Sequence, residues 1–183
     1  MCDRPGFTVW FTGLSGAGKT AIAEPLAKAL QARGLRVERL DGDTVRQELT
    51  SDLGFTKEDR DENIGRVTFV AKLLSRNGVA VICSFISPYR ERRAKTRRDI
   101  EHEGSPFVEV YVHCPLEVCA ARDVKGLYER AFAGEIDNFT GVSDPYESPE
   151  KPDVVCRTAE ETVAESVARV LAYLEEKGYV PAQ

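Results

Sequence analysis

The sequence is poor in the side chains that most often bind transition metals or form disulfide bridges. Only two of its 183 residues are histidine, and its five cysteines are odd in number and include no C-x-x-C pair. A zinc site or a histidine-based catalytic triad is therefore poorly supported. Cys83, Cys114 and Cys156 lie in or beside apolar runs. This position predicts buried thiols in a reducing, cytoplasmic compartment.

Long apolar runs and an excess of basic residues are also missing. No run approaches the roughly 18–20 apolar residues that span a bilayer, and residues 1–6 lack the features of a signal peptide. The net charge is −5, which argues against a general nucleic-acid binder. We therefore expect no membrane partner, no nucleic-acid partner, and a single domain over residues 1–183. Residues 90–98 are strongly basic, and a solvated helix face is the favoured interpretation.

Short apolar runs alternate with longer helical patterns along the chain. Strands are predicted at residues 7–12, 36–40, 79–85, 107–113 and 153–156, and helices at 18–33, 56–77, 90–103, 115–122 and 159–177. This order predicts an α/β fold, with a five-stranded parallel sheet flanked by helices on both faces. Pro25 predicts a kink or irregularity in the first helix.

One long segment interrupts this alternation. Residues 123–151 are polar, hold several glycines and prolines, and contain no strong strand pattern. Segments of this length inside a compact domain are usually functional or disordered. We therefore predict that the segment is a lid over an active site.

The segment between the first predicted strand and helix fits the pattern G-x-x-x-x-G-K-[ST]. Its residues are Gly13, Leu14, Ser15, Gly16, Ala17, Gly18, Lys19 and Thr20. In this context glycines let successive backbone N–H groups face phosphate oxygens, and the helix N-terminus adds positive potential. Lys19 is expected to reach the β- and γ-phosphates, and the Thr20 hydroxyl to bind Mg²⁺. The pattern predicts a nucleoside triphosphate ligand, but it does not separate a kinase from a GTPase switch or an ATPase.

Two carboxylates, Asp41 and Asp43, follow the second predicted strand. Ligands of open parallel sheets bind beyond the carboxyl ends of the strands. Carboxylates at this place are suited to hold metal-bound water or to accept a proton from an attacking hydroxyl. Arg46, three residues on, is suited to grip an anion. An Asx turn with a helix N-cap at Asp43 is the alternative interpretation.

Taken together, these motifs resemble those of the adenylylsulfate kinases, P-loop enzymes that phosphorylate the 3′-hydroxyl of adenosine 5′-phosphosulfate (APS). The similar segments are GLSGAGKT at 13–20, LDGDTVR at 40–46, LGF at 53–55, RDEN at 60–63, FISPYR at 85–90, DVKGLY at 123–128 and FTG at 139–141. The resemblance extends over about residues 6–181. It implies a P-loop NTPase fold with a lid, and an ATP-dependent reaction that gives 3′-phosphoadenylyl sulfate (PAPS) and ADP.

The resemblance implies a catalytic set. Asp43, supported by Asp41, is expected at the metal and at the attacking 3′-hydroxyl, and Thr20 is expected as a second metal ligand. Lys125 is expected to approach the transferring phosphate together with Lys19. A covalent phosphoserine at Ser87 is a weaker alternative, because direct in-line transfer needs no intermediate.

The resemblance also implies two sets of binding residues. The adenine of APS is expected between the rings of Phe55 and Phe139. Ordinary core packing of either ring is the alternative. The other expected contacts to APS come from Asp41, Arg46, Arg60, Asn63, Ile86, Ser87 and Asn138. Arg122, at the base of the predicted lid, is expected at the adenine of ATP.

Several further attributes follow from the resemblance taken together with the motifs. They are a requirement for Mg²⁺, a homodimer, and a separate ATP sulfurylase that supplies APS, because the motifs fill the 183 residues. Another small P-loop metabolite or nucleoside kinase remains the alternative within the same class. A GTPase switch or an inactive scaffold is the alternative from another class, although the N-K-x-D motif that reads a guanine base is missing.

Overall fold

The structure, a computed structural model, describes residues 6–181. Cys2 and the other residues of the N-terminus up to residue 5 lie outside this range. The strands are β1 Thr8–Thr12, β2 Val37–Asp41, β3 Ala80–Ser84, β4 Phe107–His113 and β5 Val154–Arg157. The helices are α1 Lys19–Ala32, α2 Gly42–Glu48, α3 Lys57–Arg76, α4 Arg90–Glu101, α5 Leu116–Arg122, α6 Leu127–Phe132 and α7 Val163–Glu176.

The five strands form one parallel sheet in the order β2-β3-β1-β4-β5. Parallel neighbours need crossover connections, and here each crossover contains at least one helix. The predicted α/β class and the parallel five-stranded sheet are confirmed. Since β1 lies at the centre, the loop that follows it opens in the middle of the carboxyl edge of the sheet.

Two apolar cores lie on opposite faces of the sheet. Successive side chains of a strand point to opposite faces. Val9 and Phe11 of β1 therefore pack in one core, which includes apolar residues of α1 and α7, whereas Trp10 packs in the other, with residues of α3 and α4. These three side chains are fully buried. This double burial explains the β-branched and aromatic sequence of β1 and fixes the position of the loop after it.

Two short helices differ from the sequence-based expectations. Helix α2 begins directly after β2, and its N-cap is Asp41, whose carboxylate accepts a hydrogen bond from the Asp43 amide. The N-cap suggested at Asp43 is therefore wrong by two residues. Helix α6 lies inside residues 123–151, where the Asp123 carboxylate accepts from the amides of Tyr128 and Glu129.

Helix α1 continues through Pro25 without a break, so the predicted irregularity does not interrupt the helix. Proline removes the N–H that would bond to the carbonyl of the residue four positions earlier. That residue, Ala21, is exposed, and water can therefore satisfy its carbonyl.

The basic segment 90–98 is not a solvated face throughout, which corrects the favoured interpretation. Arg93 is 3% exposed and donates to the Glu109 carboxylate at 2.8 Å and to the Glu147 carbonyl at 2.6 Å. Arg97 pairs with Asp153 at 2.5 Å. Arg93 thus joins α4 to β4 and to the C-terminal end of residues 123–151, and Arg97 joins α4 to Asp153, just before β5.

The burial predicted for Cys83, Cys114 and Cys156 is confirmed, and Cys119, for which none was predicted, is buried as well. Cys83, Cys114, Cys119 and Cys156 are buried and free of disulfides. Burial raises the pKa of the Cys119 thiol to about 12 and that of Cys156 to about 11. None of the helices within residues 6–181 is long and apolar enough to cross a membrane.

Candidate active site

The loop of residues 13–20, called here the phosphate loop, curls around its own lysine. Gly13 and Gly18 have φ angles of 154° and 100°, which side chains rarely tolerate. At Gly13 a Cβ would lie 2.5 Å from the carbonyl oxygen of Val112. Lys19 Nζ donates to the carbonyls of Gly13 at 2.9 Å and Leu14 at 2.7 Å. The Lys19 ammonium is thus hydrogen-bonded to the backbone of its own loop, as expected for a loop that binds phosphate.

Electrostatics make this lysine responsive to an anion. Burial lowers the pKa of Lys19 from 10.5 to about 8, and the carboxylates of Asp41 and Asp43 oppose this shift. Desolvation disfavours the charged form, whereas a nearby negative charge restores it. A polyphosphate bound at the loop would therefore favour the protonated lysine.

Neighbouring elements brace the rest of the phosphate loop. The Tyr128 hydroxyl donates to the Ser15 carbonyl at 2.9 Å, and the Thr158 hydroxyl donates to the Ala17 carbonyl at 2.7 Å. Arg122 donates to the Thr158 carbonyl at 2.6 Å, so it lies beside the loop. Sequence reasoning assigned no role to Tyr128 or Thr158. Tyr128 does end one of the quoted motifs, and Thr158 lies two residues beyond the predicted strand 153–156.

The two carboxylates after β2 differ in their contacts. Asp41 accepts from the Thr20 hydroxyl at 2.9 Å and from the Asp43 amide at 3.0 Å. Asp43 lies in the first turn of α2, its side chain is 69% exposed, and it pairs with Lys125 from the predicted lid. Residues from three separated motifs therefore meet within electrostatic range of Lys19.

The donor set at this place suits a hard divalent cation. Thr20, Asp41 and Asp43 offer one hydroxyl and two carboxylates, and the Asp41 carboxylate contacts both the Thr20 hydroxyl and the Asp43 amide. Mg²⁺ usually takes one or two protein carboxylates and completes its coordination with water and substrate phosphates. Among residues 6–181 no group of three or more histidine, cysteine, aspartate or glutamate side chains forms a closed metal cage. The residues present thus fit Mg²⁺ bound together with a nucleotide.

An exposed aromatic ring flanked by two guanidinium groups forms the opposite end of the site. Phe55 is 58% exposed, with Arg46 at 4.7 Å and Arg60 at 5.8 Å from its ring centroid. Arg46 donates to the Gly54 carbonyl at 2.7 Å, and Arg60 donates to the Phe55 carbonyl at 3.0 Å. Burial and the neighbouring Arg60 lower the pKa of Arg46. The arrangement offers a free stacking surface beside two cations that suit phosphate or sulfate.

Residues of the predicted lid close this end from the other side. Arg60 also donates to the Asn138 carbonyl and lies 3.8 Å from the Asp144 carboxylate. The Tyr89 hydroxyl donates to the same carboxylate at 3.0 Å. Asn138 has a φ of 54°, a left-handed conformation that asparagine tolerates better than most residues. Sequence reasoning assigned no role to Asp144.

Phe139 and Asn63 are less exposed than Phe55. The Phe139 ring meets Tyr128 edge-on, with centroids 5.0 Å apart, and packs against the core on the α1 side. Asn63 is buried, and its amide oxygen accepts from the Thr50 hydroxyl at 2.7 Å. Both residues therefore have structural partners of their own in addition to their predicted contacts with APS.

The loop of residues 86–87, called here the substrate loop, follows β3. Ser87 is 3% exposed, and its hydroxyl accepts from the Trp10 indole at 3.1 Å. The Ile86 carbonyl accepts from the Thr12 hydroxyl at 2.7 Å. The structure does not bring the Ser87 hydroxyl to Asp43 or Lys125, and a phosphoserine there would require this hydroxyl to leave its buried contact.

Comparisons with known proteins identify the family. The family model described as Adenylylsulphate kinase matches residues 5–157. The adenylyl-sulfate kinase of Halothermothrix orenii is 63% identical over 180 residues, which cover 98% of this chain and 95% of that relative. An APS kinase of Mycobacterium tuberculosis in complex with AMPPNP and APS is similar with a TM-score of 0.91 and 42% identity, covering 94% of this chain and 99% of that one.

A third relative extends the comparison to an assembled enzyme. The hexameric APS kinase from Thiobacillus denitrificans is similar with a TM-score of 0.75 and 38% identity, covering 97% of this chain and 30% of that one. The family model spans most of the chain, and the relative from Halothermothrix orenii is similar over nearly its whole length. The chain therefore belongs to the adenylylsulphate kinase family.

Proposed function

We propose that the chain transfers the γ-phosphoryl group of ATP to the 3′-hydroxyl of APS, where the phosphate loop, Asp43 and Lys125 meet. The observation that carries this proposal is the pairing of Asp43 with Lys125 within electrostatic range of Lys19. The Asp43 carboxylate thus interacts with two lysines, Lys19 and Lys125, which come from separate parts of the chain. Such a set can orient a hydroxyl and neutralise the charge of a transferring phosphoryl group.

Each residue of this set has a separate task. Lys19 and the N–H groups of the phosphate loop bind the β- and γ-phosphates. Asp43 accepts a hydrogen bond from the 3′-hydroxyl and takes up its proton as the bond to phosphorus forms. Lys125 exchanges its contact with Asp43 for one with the transferring phosphate, so that substrate binding frees the carboxylate. Mg²⁺, held by Thr20 and Asp43 beside Asp41, would supply further charge neutralisation on the phosphates.

The opposite end of the site binds APS. The adenine stacks on the exposed ring of Phe55 and is covered by Phe139, an arrangement that contributes about 1–3 kcal/mol per base in comparable sites. Arg46 and Arg60, both close to Phe55, bind the phosphosulfate and ribose. Asn63 and the substrate loop complete the contacts.

Residues 123–151 act as a lid of this single domain. They supply Lys125 and Phe139, and they pack on the phosphate loop at Gly141, where an added Cβ would lie 2.9 Å from Leu14 Cδ2. The C-terminal end of this segment is held by α4, since Arg93 donates to the Glu147 carbonyl. We therefore assign the moving part to the residues before 144.

We further propose that the chain is a homodimer in the cytoplasm. Buried free thiols suit a reducing compartment. A relative described as hexameric supports self-association within the family. Light scattering of the purified protein should give twice the mass of one chain.

APS itself must come from a reaction that joins sulfate to an adenylyl group, and we assign that reaction to a separate ATP sulfurylase.

The substrate assignment is tested by a coupled assay of ADP release. Purified protein with Mg²⁺ and ATP should release ADP when APS is added, and mass spectrometry should find PAPS in equal amount. Gluconate, shikimate and adenosine serve as competing acceptors for the alternative of another P-loop metabolite kinase. Release of ADP with one of these acceptors but not with APS would overturn the proposal.

A further inference from the structure

Residues 144–148, called here the strap, belong to the lid segment and lead back from its moving part to the carboxyl edge of the sheet. Tyr146 of the strap stacks on Tyr111 of β4, with ring centroids 6.2 Å apart. Its hydroxyl lies 2.9 Å from the Thr12 hydroxyl. Thr12 is the last residue of β1 and directly precedes the phosphate loop. The strap therefore touches the point from which the loop departs.

The partners of each hydroxyl fix the direction of this contact. The Thr12 hydroxyl lies 2.7 Å from the Ile86 carbonyl oxygen, which has no hydrogen to give, so Thr12 is the donor. A hydroxyl carries a single hydrogen. Tyr146 must therefore donate to Thr12, and the hydrogen bonds run from Tyr146 through Thr12 to Ile86. Burial raises the pKa of Tyr146, so the donor proton is retained across the neutral range.

The substrate loop at the end of this chain of hydrogen bonds is strained. Ser87 has a φ of 40°, a conformation that persists only when its surroundings hold it. Arg93 donates to the Ser87 carbonyl at 2.6 Å and to the Glu147 carbonyl, also at 2.6 Å. The strap and the substrate loop are thus joined twice, once through Thr12 and once through Arg93.

We infer that Tyr146 is a positioning residue for APS, which it orients by fixing the Ile86 carbonyl through the Thr12 hydroxyl. The inference rests on the proposed function, which places residues 86 and 87 against APS. The phosphate loop has separate braces, so loss of the Tyr146 hydroxyl should weaken APS binding more than ATP binding.

The substitution Tyr146→Phe removes the hydroxyl and keeps the stacked ring. We expect KM for APS to rise about 3- to 10-fold, the usual effect of losing one buried hydrogen bond, while kcat and KM for ATP change less than about twofold. Tyr111→Phe is the matched control, because it belongs to the same aromatic pair and its hydroxyl has one hydrogen-bond partner within residues 6–181, Ser148 at 3.3 Å. This control should leave all three constants unchanged.

A double-mutant cycle tests the route through Thr12. In a Thr12→Val background, Tyr146→Phe should change KM for APS less than about twofold, because the acceptor is already lost. An equal effect of Tyr111→Phe, or a full additional effect of Tyr146→Phe in that background, would overturn the inference. A wild-type protein without activity on APS would reject the proposed function and the inference together. An active wild type with an unaltered Tyr146→Phe variant rejects the inference alone.

Discussion

The two ends of the active site are built in different ways. At the ATP end, the phosphate loop is eight consecutive residues, and Lys19 contacts carbonyls only five and six positions earlier. At the APS end, Arg60 contacts Asn138, 78 positions later, and Tyr89 contacts Asp144, 55 positions later. One end is therefore a local motif, whereas the other is assembled from α2, α3, the substrate loop and the lid.

This difference separates binding of the two substrates. The phosphate loop takes its geometry mainly from β1 and α1, and the Tyr128 and Thr158 hydroxyls brace it further. An assembled surface depends on every element that contributes to it. Perturbations of α3 and of the lid residues that contact it should therefore affect APS first, and only residues where the two ends meet should affect the chemical step.

Asp43 is the residue where the two ends meet, and its substitution should have the largest effect. Asp43→Asn removes the proton acceptor and is expected to lower kcat roughly 10²- to 10⁴-fold. The melting temperature should not fall, because the side chain is 69% exposed. Glu48→Gln, which removes a charge from the same helix, is the control and should retain full activity. A kcat for Asp43→Asn within twofold of wild type would refute the role of Asp43.

Phe55 tests the assembled end. Phe55→Ala should raise KM for APS by about 5- to 150-fold, corresponding to the loss of one base–aromatic stack, and leave KM for ATP unchanged. Phe69→Ala is the matched control, because Phe69 lies on α3 and is as exposed as Phe55, at 58%. That control should not alter either KM in steady-state kinetics. If Phe55→Ala raised KM for APS and KM for ATP equally, the two ends of the site would not bind their substrates separately.

Gly141 tests the contact between the lid and the phosphate loop. Gly141→Ala places a methyl group within 2.9 Å of Leu14 Cδ2, and overpacking of this kind usually costs about 1–3 kcal/mol. We expect KM for ATP to rise about 3- to 10-fold relative to Gly134→Ala. Gly134 has a similarly positive φ of 75° but nothing within 4 Å of an added Cβ. If both variants gave the same KM for ATP, the lid would not pack on the loop in the working enzyme.

The pH dependence of nucleotide binding is expected to be the smallest effect. The pKa of Lys19 is lowered to about 8 in the empty site, and bound phosphates should raise it again. Binding is thus coupled to proton uptake, and affinity should fall as the pH rises above about 8. Titration calorimetry at pH 8.5 in two buffers of different ionisation enthalpy should detect uptake of about three-quarters of a proton. Lys19→Arg should abolish this uptake, and an uptake that persists would assign it to another group.

The local end was also the more predictable end. The strand, the phosphate loop and the helix that follows it were predicted closely, because their apolar pattern and glycines determine them locally. Helix α2 was expected only in the alternative interpretation, with its cap two residues late, because it has only seven residues and depends on a cap from the Asp41 side chain. Helix α6 was missed because its first turn is held by Asp123, inside a segment without apolar periodicity.

Contacts between residues that are distant in the sequence could not be predicted from the sequence pattern alone. The pairing of Asp43 with Lys125 spans 82 positions, and only the family resemblance placed the two residues together. The basic segment on α4 was misjudged for the same reason, because its partners Glu109 and Glu147 belong to other elements. Charge patterns in a sequence do not show which charges are paired in the fold.

A crystal structure with APS and ADP would test the central claim most directly. We expect the adenine of APS between Phe55 and Phe139, and the 3′-hydroxyl within hydrogen-bond distance of the Asp43 carboxylate. An adenine bound away from Phe55, or a 3′-hydroxyl directed away from Asp43, would contradict the account.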